Sequence, residues 1–139
     1  MTKKMKSLFY VSFVTLALIG LQMPAPCHAF DIAIDVSPNV LNIESKSCIV
    51  TVHTDIAYNL VVGASVYLNG VAIDWWKYDD RGNFVAKFDS DEIKALVTGG
   101  ELEPDVYNTL TLSGYTTIGE AFIGAQEIMV IDNIPAGRD

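Results

Sequence analysis

From residue 30 onward, apolar and polar positions alternate with a period of two, the pattern of strands that bury one face. Phe30, Ile32, Ile34 and Val36 share one side, with Asp31 and Asp35 opposite. Ser37-Pro38-Asn39 ends this first strand, because proline cannot continue a ladder. Between Ser47 and Ile56, Cys48, Val50, Val52 and Ile56 face inward while Thr51, His53 and Asp55 face outward. Val66 and Leu68 lead into Asn69-Gly70, a strong two-residue hairpin signal, and Val71, Ile73 and Trp75 form the returning strand. Asp79-Asp80-Arg81-Gly82 makes a second turn, after which Phe84, Ala86 and Phe88 alternate with Val85 and Lys87. Tyr107 to Leu112 reads as a strand with Leu110 and Leu112 inward. The last strands cover about Glu120 to Asp132, with Gly124 as a bulge or turn and Ile128 and Val130 inward.

One segment breaks the alternation. Asp89-Ser90-Asp91-Glu92 fits a capping box, Ile93, Leu96 and Val97 follow at helical spacing, and Gly99-Gly100 stops the run. About seven short strands with turns every 8–12 residues and one short helix predict an all-β fold, an antiparallel immunoglobulin-like β-sandwich. A small β-barrel is the alternative.

The first thirty residues follow another logic. Lys3, Lys4 and Lys6 precede an apolar run from Leu8 to Leu21, then Pro24, Pro26 and the small residue Ala29. This is the order of a secretory signal peptide, and its apolar run is shorter than the ~20 residues that span a bilayer. The predicted organisation is a signal peptide over 1–29, a sandwich domain over 30–133 and a flexible tail over 134–139. Export to the periplasm or the medium follows, with no membrane span after cleavage.

Charge then narrows the partners. The whole chain carries 9 Lys+Arg against 17 Asp+Glu. Removal of residues 1–29 takes three lysines and no acid, so six cations face 17 acids and the net charge becomes −11. Such a chain lacks the basic patch that binds nucleic acid. Only Cys48 survives cleavage, so no internal disulfide forms and the fold relies on its core.

Six strings carry a resemblance: Asp35-Val-Ser-Pro-Asn-Val-Leu-Asn-Ile-Glu-Ser-Lys46, Val50-Thr-Val-His53, Val66-Tyr-Leu-Asn-Gly70, Val85-Ala-Lys-Phe88, Leu110-Thr-Leu-Ser-Gly114 and Ile128-Met-Val-Ile131. Together they resemble an immunoglobulin-like sandwich module that recurs as an accessory domain in exported bacterial and archaeal proteins. The resemblance covers nearly all of the sequence after the leader. It implies a fold and a place at or beyond the cell surface. It carries no catalytic residues.

Candidate chemistry is sparse. The chain has no His-Glu-x-x-His, Cys-x-x-Cys, Gly-x-Ser-x-Gly or phosphate-cradling glycine loop, so no enzyme is predicted and no catalytic residue is assigned. His53 is expected on a solvated strand face, and Cys48 in the core as a small hydrophobe. Asp79, Asp80 and Asn83 surround Gly82 on one turn and are the candidate Ca²⁺ ligands, although the alternating spacing of a calcium loop is absent. Glu101, Glu103 and Asp105 form a weaker cluster. Trp75, by parity with Val71 and Ile73, is expected in the core. Trp76 and Tyr78 then share the outer face and are the candidate binding residues, for a sugar ring or a partner's apolar patch. The expected function is an exported, non-enzymatic module that binds an extracytoplasmic protein or serves in assembly, with a carbohydrate-binding module as the alternative.

Overall fold

In the computed structural model, which describes residues 29–132, ten strand segments form two hydrogen-bonded sheets. The strands are β1 (Phe30–Asp31), β2 (Ile34–Ser37), β3 (Val40–Asn42), β4 (Ile49–Ala57), β5 (Tyr67–Leu68), β6 (Val71–Ala72), β7 (Trp75–Tyr78), β8 (Asn83–Asp89), β9 (Val106–Tyr115) and β10 (Ala121–Ile131). The one α-helix among the described residues, α1 (Ser90–Thr98), leads from β8 towards β9. The predicted leader and tail lie outside the described residues, apart from Ala29. No described helix is long and apolar enough to cross a membrane.

One sheet has the order β2-β4-β8-β7 and the other β1-β10-β9-β5-β6, with β3 also paired to β10. Numbered by chain position, β2, β4, β8 and β7 take the places A, B, E and D of an immunoglobulin sandwich. β5, β9 and β10 take the places C, F and G. The ladders are antiparallel except where β1 and β3 run parallel to β10. Two separate sheets rule out the closed barrel.

The core lies between them. Val36, Val52, Phe84, Ala86 and Phe88 come from one sheet, and Leu68, Leu110, Leu112, Phe122, Ile128 and Val130 from the other. Ile93 of α1 joins the same cluster. A cross-sheet bond adds register: the Gln126 side-chain oxygen on β10 accepts from the Val36 N–H at 2.8 Å.

Local chemistry explains most boundaries. Asn69 (φ 47°) and Gly70 (φ 83°) both take the left-handed conformation that a two-residue hairpin between β5 and β6 needs. The Asn69 side chain also fastens the hairpin to β9, accepting from the Thr111 N–H at 2.6 Å. Asp89 caps α1, its carboxylate accepting from the Asp91 N–H at 2.9 Å.

Three sequence-based expectations need correction here. The first strand is not continuous: β1 lies in one sheet and β2 in the other, with the chain crossing at Ile32 and Ala33. Phe30 consequently sits at the edge, exposed but in ring contact with Phe122 at 6.2 Å. Gly124 is neither bulge nor turn but a regular position in the single long strand β10. A Cβ there would meet Ile34 Cγ2 at 2.6 Å and the Ile32 carbonyl oxygen at 3.0 Å, so glycine lets the crossing segment pass. Cys48 is exposed, not buried, because it precedes β4 and its backbone turns to meet the helix. Its N–H donates to Ser90 Oγ at 2.8 Å, and the Ser90 N–H donates to its carbonyl at 3.0 Å.

Candidate functional site

One recess of the fold begins with a register slip between two strands. β4 and β8 pair evenly from Ile49 opposite Asp89 to His53 opposite Val85, and rejoin only at Ala57 opposite Asn83. Thr54, Asp55 and Ile56 therefore oppose Phe84 alone, which splays the two strands. The buried Thr54 hydroxyl donates to the Phe84 carbonyl at 2.6 Å, replacing a lost ladder bond. The result is a cleft of about 380 Å³. His53, Thr54 and Asp55 line it from β4, and Asp79, Asp80, Arg81 and Asn83 from the β7–β8 turn.

All three predicted cation ligands, Asp79, Asp80 and Asn83, thus line one cleft. One of them, Asp79, is committed to the turn itself. Asp79 Oδ1 accepts from the Arg81 N–H at 2.8 Å and the Asn83 N–H at 2.9 Å, closing the turn. The bond from Asn83 is the main reason its carboxyl is held below the ordinary aspartate range. The Arg81 N–H and the charges of His53 and Arg81 act in the same direction, against desolvation. Asp55 Oδ1 accepts from the Ala33 N–H at 2.9 Å, pinning the point where the first strand changes sheets. Among the described residues no group of three or more His, Cys, Asp and Glu is placed to hold a metal ion. Glu101, Glu103 and Asp105 belong to a loop folded around Asn108, whose side chain bonds both the N–H and the carbonyl of Glu103 at 2.8 Å.

The aromatic residues are placed differently from the parity argument. Trp75 stands opposite Lys87, Trp76 opposite Ala86 and Tyr78 opposite Phe84. Directly opposed residues share a side, so Trp76 and Tyr78 lie on the core-facing side of their sheet and Trp75 on its outer face. The chain changes sheets between β6 and β7: the Ile73 N–H still bonds Val66, whereas the Asp74 N–H already bonds Lys87. A parity counted from Val71 does not survive that crossing.

None of the three is deeply buried. Trp75 is 45% exposed, Trp76 37% and Tyr78 66%, because β7 is an edge strand. Trp76 lies flat against Gly63, where any Cβ would collide with the indole. Tyr78 meets Tyr58 edge-on at 5.4 Å, and Tyr58 stacks on Phe84 at 6.3 Å. On the outer face the Lys87 ammonium lies 5.4 Å from the Trp75 ring centre and donates to Thr51 Oγ1 at 2.9 Å.

The opposite sheet presents a third surface that strand-by-strand reading did not single out. On the outer face of β5, β9 and β10, Tyr67 adjoins Ser113, Ser113 adjoins Ile123, Tyr115 adjoins Ala121 and Tyr107 adjoins Met129. Thr109, Thr111 and Ala125 fill the rows between, and Glu127 is the one charged residue these three strands place there. A groove of about 190 Å³ runs beside Tyr67, Tyr115 and Ile123. The outward tyrosines were legible one by one, but their assembly depends on pairing that period alone does not give. No family model, no curated protein sequence and no solved structure matches this chain, and the candidate sites stand on their own geometry.

Proposed function

We propose that this is an exported, non-enzymatic binding module whose partner is an extracytoplasmic protein. The observation that carries the reading is the outer face of β5, β9 and β10. It is nearly free of charge in a chain with 17 acids, and it displays Tyr67, Tyr107 and Tyr115 partly exposed. Tyrosine supplies contact area at low entropic cost, and charge-poor aromatic surface characterises the centre of protein interfaces. Glu127 and the acidic remainder of the surface would set orientation and solubility.

The test is affinity capture from the source cells with the native protein and with a Tyr67→Asp/Tyr115→Asp variant of equal thermal stability. A partner retained by the first and lost by the second supports this face. Identical captures by both overturn it. Export is read from residues 1–29 alone, and N-terminal sequencing of the native protein should begin at Phe30; an intact Met1 overturns that part.

A second reading, carbohydrate binding, is favoured by Trp76 and Tyr78, which stay exposed on the edge strand β7. Glycan arrays with native protein and Trp76→Ala separate it from the first.

A further inference from the structure

Cations are scarce in this protein, and where they gather is informative. Outside the predicted leader the sequence has six Lys and Arg in all. Among the described residues the one ion pair joins Lys94 to Asp91 at 3.9 Å. Among the described residues no carboxylate lies at ion-pair distance from Lys77 or Lys87, although acids outnumber cations across the chain. They are instead diagonal neighbours on the outer face of β7 and β8, since Lys87 stands opposite Trp75 and Lys77 opposite Val85. Diagonal side chains on one face are about 7–8 Å apart at their roots, within reach of one ligand group. Two like charges left unneutralised side by side cost stability, which marks a place where an anion would be gained.

The pair is also positioned. Lys87 is fixed by its bond to Thr51 Oγ1 at 2.9 Å and by the Trp75 ring, while Lys77 is exposed. Burial and the Lys77 charge together lower the proton affinity of Lys87, and no acid offsets them. On this sheet Asp35 of β2 stands opposite His53 of β4, Asp89 caps α1 at the end of β8, and Asp74 precedes Trp75 with its N–H donating to the Lys87 carbonyl; none of the three forms an ion pair with either lysine. Beside the pair, the indole of Trp75 offers a flat apolar surface that is nearly half exposed.

We propose that Trp75, Lys77 and Lys87 form a binding site for an acidic saccharide, with a pyranose ring resting on the indole and its carboxylate held between the two ammonium groups. Two cations within one diagonal spacing suit one anionic group per sugar ring, rather than a run of carboxylates along an extended peptide. The site is distinct from the tyrosine face on the other sheet, and from Trp76 and Tyr78 on the other side of the same strand. It does not depend on the reading proposed above.

The test is tryptophan fluorescence and calorimetry on the native protein with oligogalacturonate, neutral galactose oligomers of equal length, and polyglutamate. Oligogalacturonate should bind and the neutral sugar should not, with affinity falling about tenfold or more as salt is raised. Trp75→Ala and Lys77→Gln should each weaken binding severalfold while the protein still melts in one cooperative transition, and Trp76→Ala should leave binding intact. Lys77 is exposed, so its substitution carries the test even if a change at Lys87 disturbs folding. Equal binding of the neutral sugar, no binding of either sugar, or preferential binding of polyglutamate overturns the proposal. None of these outcomes bears on the tyrosine face.

Discussion

β7 and β8 are hydrogen-bonded neighbours at four successive positions, yet they differ completely in burial. In β8, Phe84, Val85, Ala86 and Phe88 are fully buried. In β7, two tryptophans and a tyrosine are all exposed. Hydrophobicity does not separate them, since β7 is the more aromatic strand. Position does: β8 lies between β4 and β7, whereas β7 is the sheet edge, with no strand beyond it and only the turn around Gly63 beneath Trp76. A short edge strand carrying lysine also resists pairing with other chains, so Lys77 serves that end too. Large apolar residues kept at such an edge cover surface instead of filling volume.

The sharpest way to break this contrast is to remove one large side chain from each strand. Phe84→Ala empties a closed site and should cost about 3–5 kcal/mol. Trp75→Ala removes a larger group but should cost no more than about 1 kcal/mol, because its ring is already half in water. Chemical denaturation of both variants decides the matter. Comparable losses would mean that Trp75 packs as a core residue after all.

That expectation about Trp75 shows what period two can and cannot deliver. Within one strand it is reliable: Phe84, Ala86 and Phe88, like Leu110 and Leu112, face inward as their alternation requires. Local punctuation was equally readable at Asn69-Gly70, at the Asp79–Gly82 turn and at the Asp89 cap, because each is decided by short-range bonds. Two events were not readable. The chain changes sheets at Ile32–Ala33 and again at Ile73–Asp74, and each crossing resets which parity faces inward. The cleft was half legible: Asp79, Asp80 and Asn83 lie on one turn, but His53 and Asp55 join them only through the slipped register of β4 against β8.

A smaller effect should come from the support under β7. The Trp76 ring lies where a Cβ on Gly63 would need to be. Gly63→Ala should therefore push the indole outward and cost about 1–2 kcal/mol. In a Trp76→Ala background the same change should cost almost nothing, since its obstacle is gone. A double-mutant cycle on melting free energies measures this coupling, and additive losses would refute it.

The turn joining the two strands responds to acid. Asp79 has its carboxyl held below the ordinary aspartate value by the Asn83 N–H first, then the Arg81 N–H and nearby positive charge. A depressed folded value means its contribution is complete above pH ~3.9 and is lost as pH falls through the folded value. Asp79→Asn keeps an oxygen for both N–H donors but removes the titration, so it should flatten the acid limb of the stability profile. The group is open to solvent, and the change should be modest. Parallel profiles for native and variant protein would mean that the turn does not sense this charge.

The smallest effect belongs to the other neighbour of β8. β4 begins just after Cys48, whose backbone is held at both ends by Ser90 while its side chain is exposed. Because the bonds here use the backbone N–H and carbonyl, replacing the thiol disturbs none of them. Cys48→Ser should stay within about 0.5 kcal/mol of the native stability. The same exposure makes the thiol reachable, so a disulfide reagent should label it in the folded state at a rate close to that in denaturant. Labelling that waits for unfolding would put Cys48 inside the sandwich with Val50 and Val52. β4 would then enter its sheet one residue earlier, and its pairing with β8 would have to extend past the Asp89 cap to Ser90 of α1.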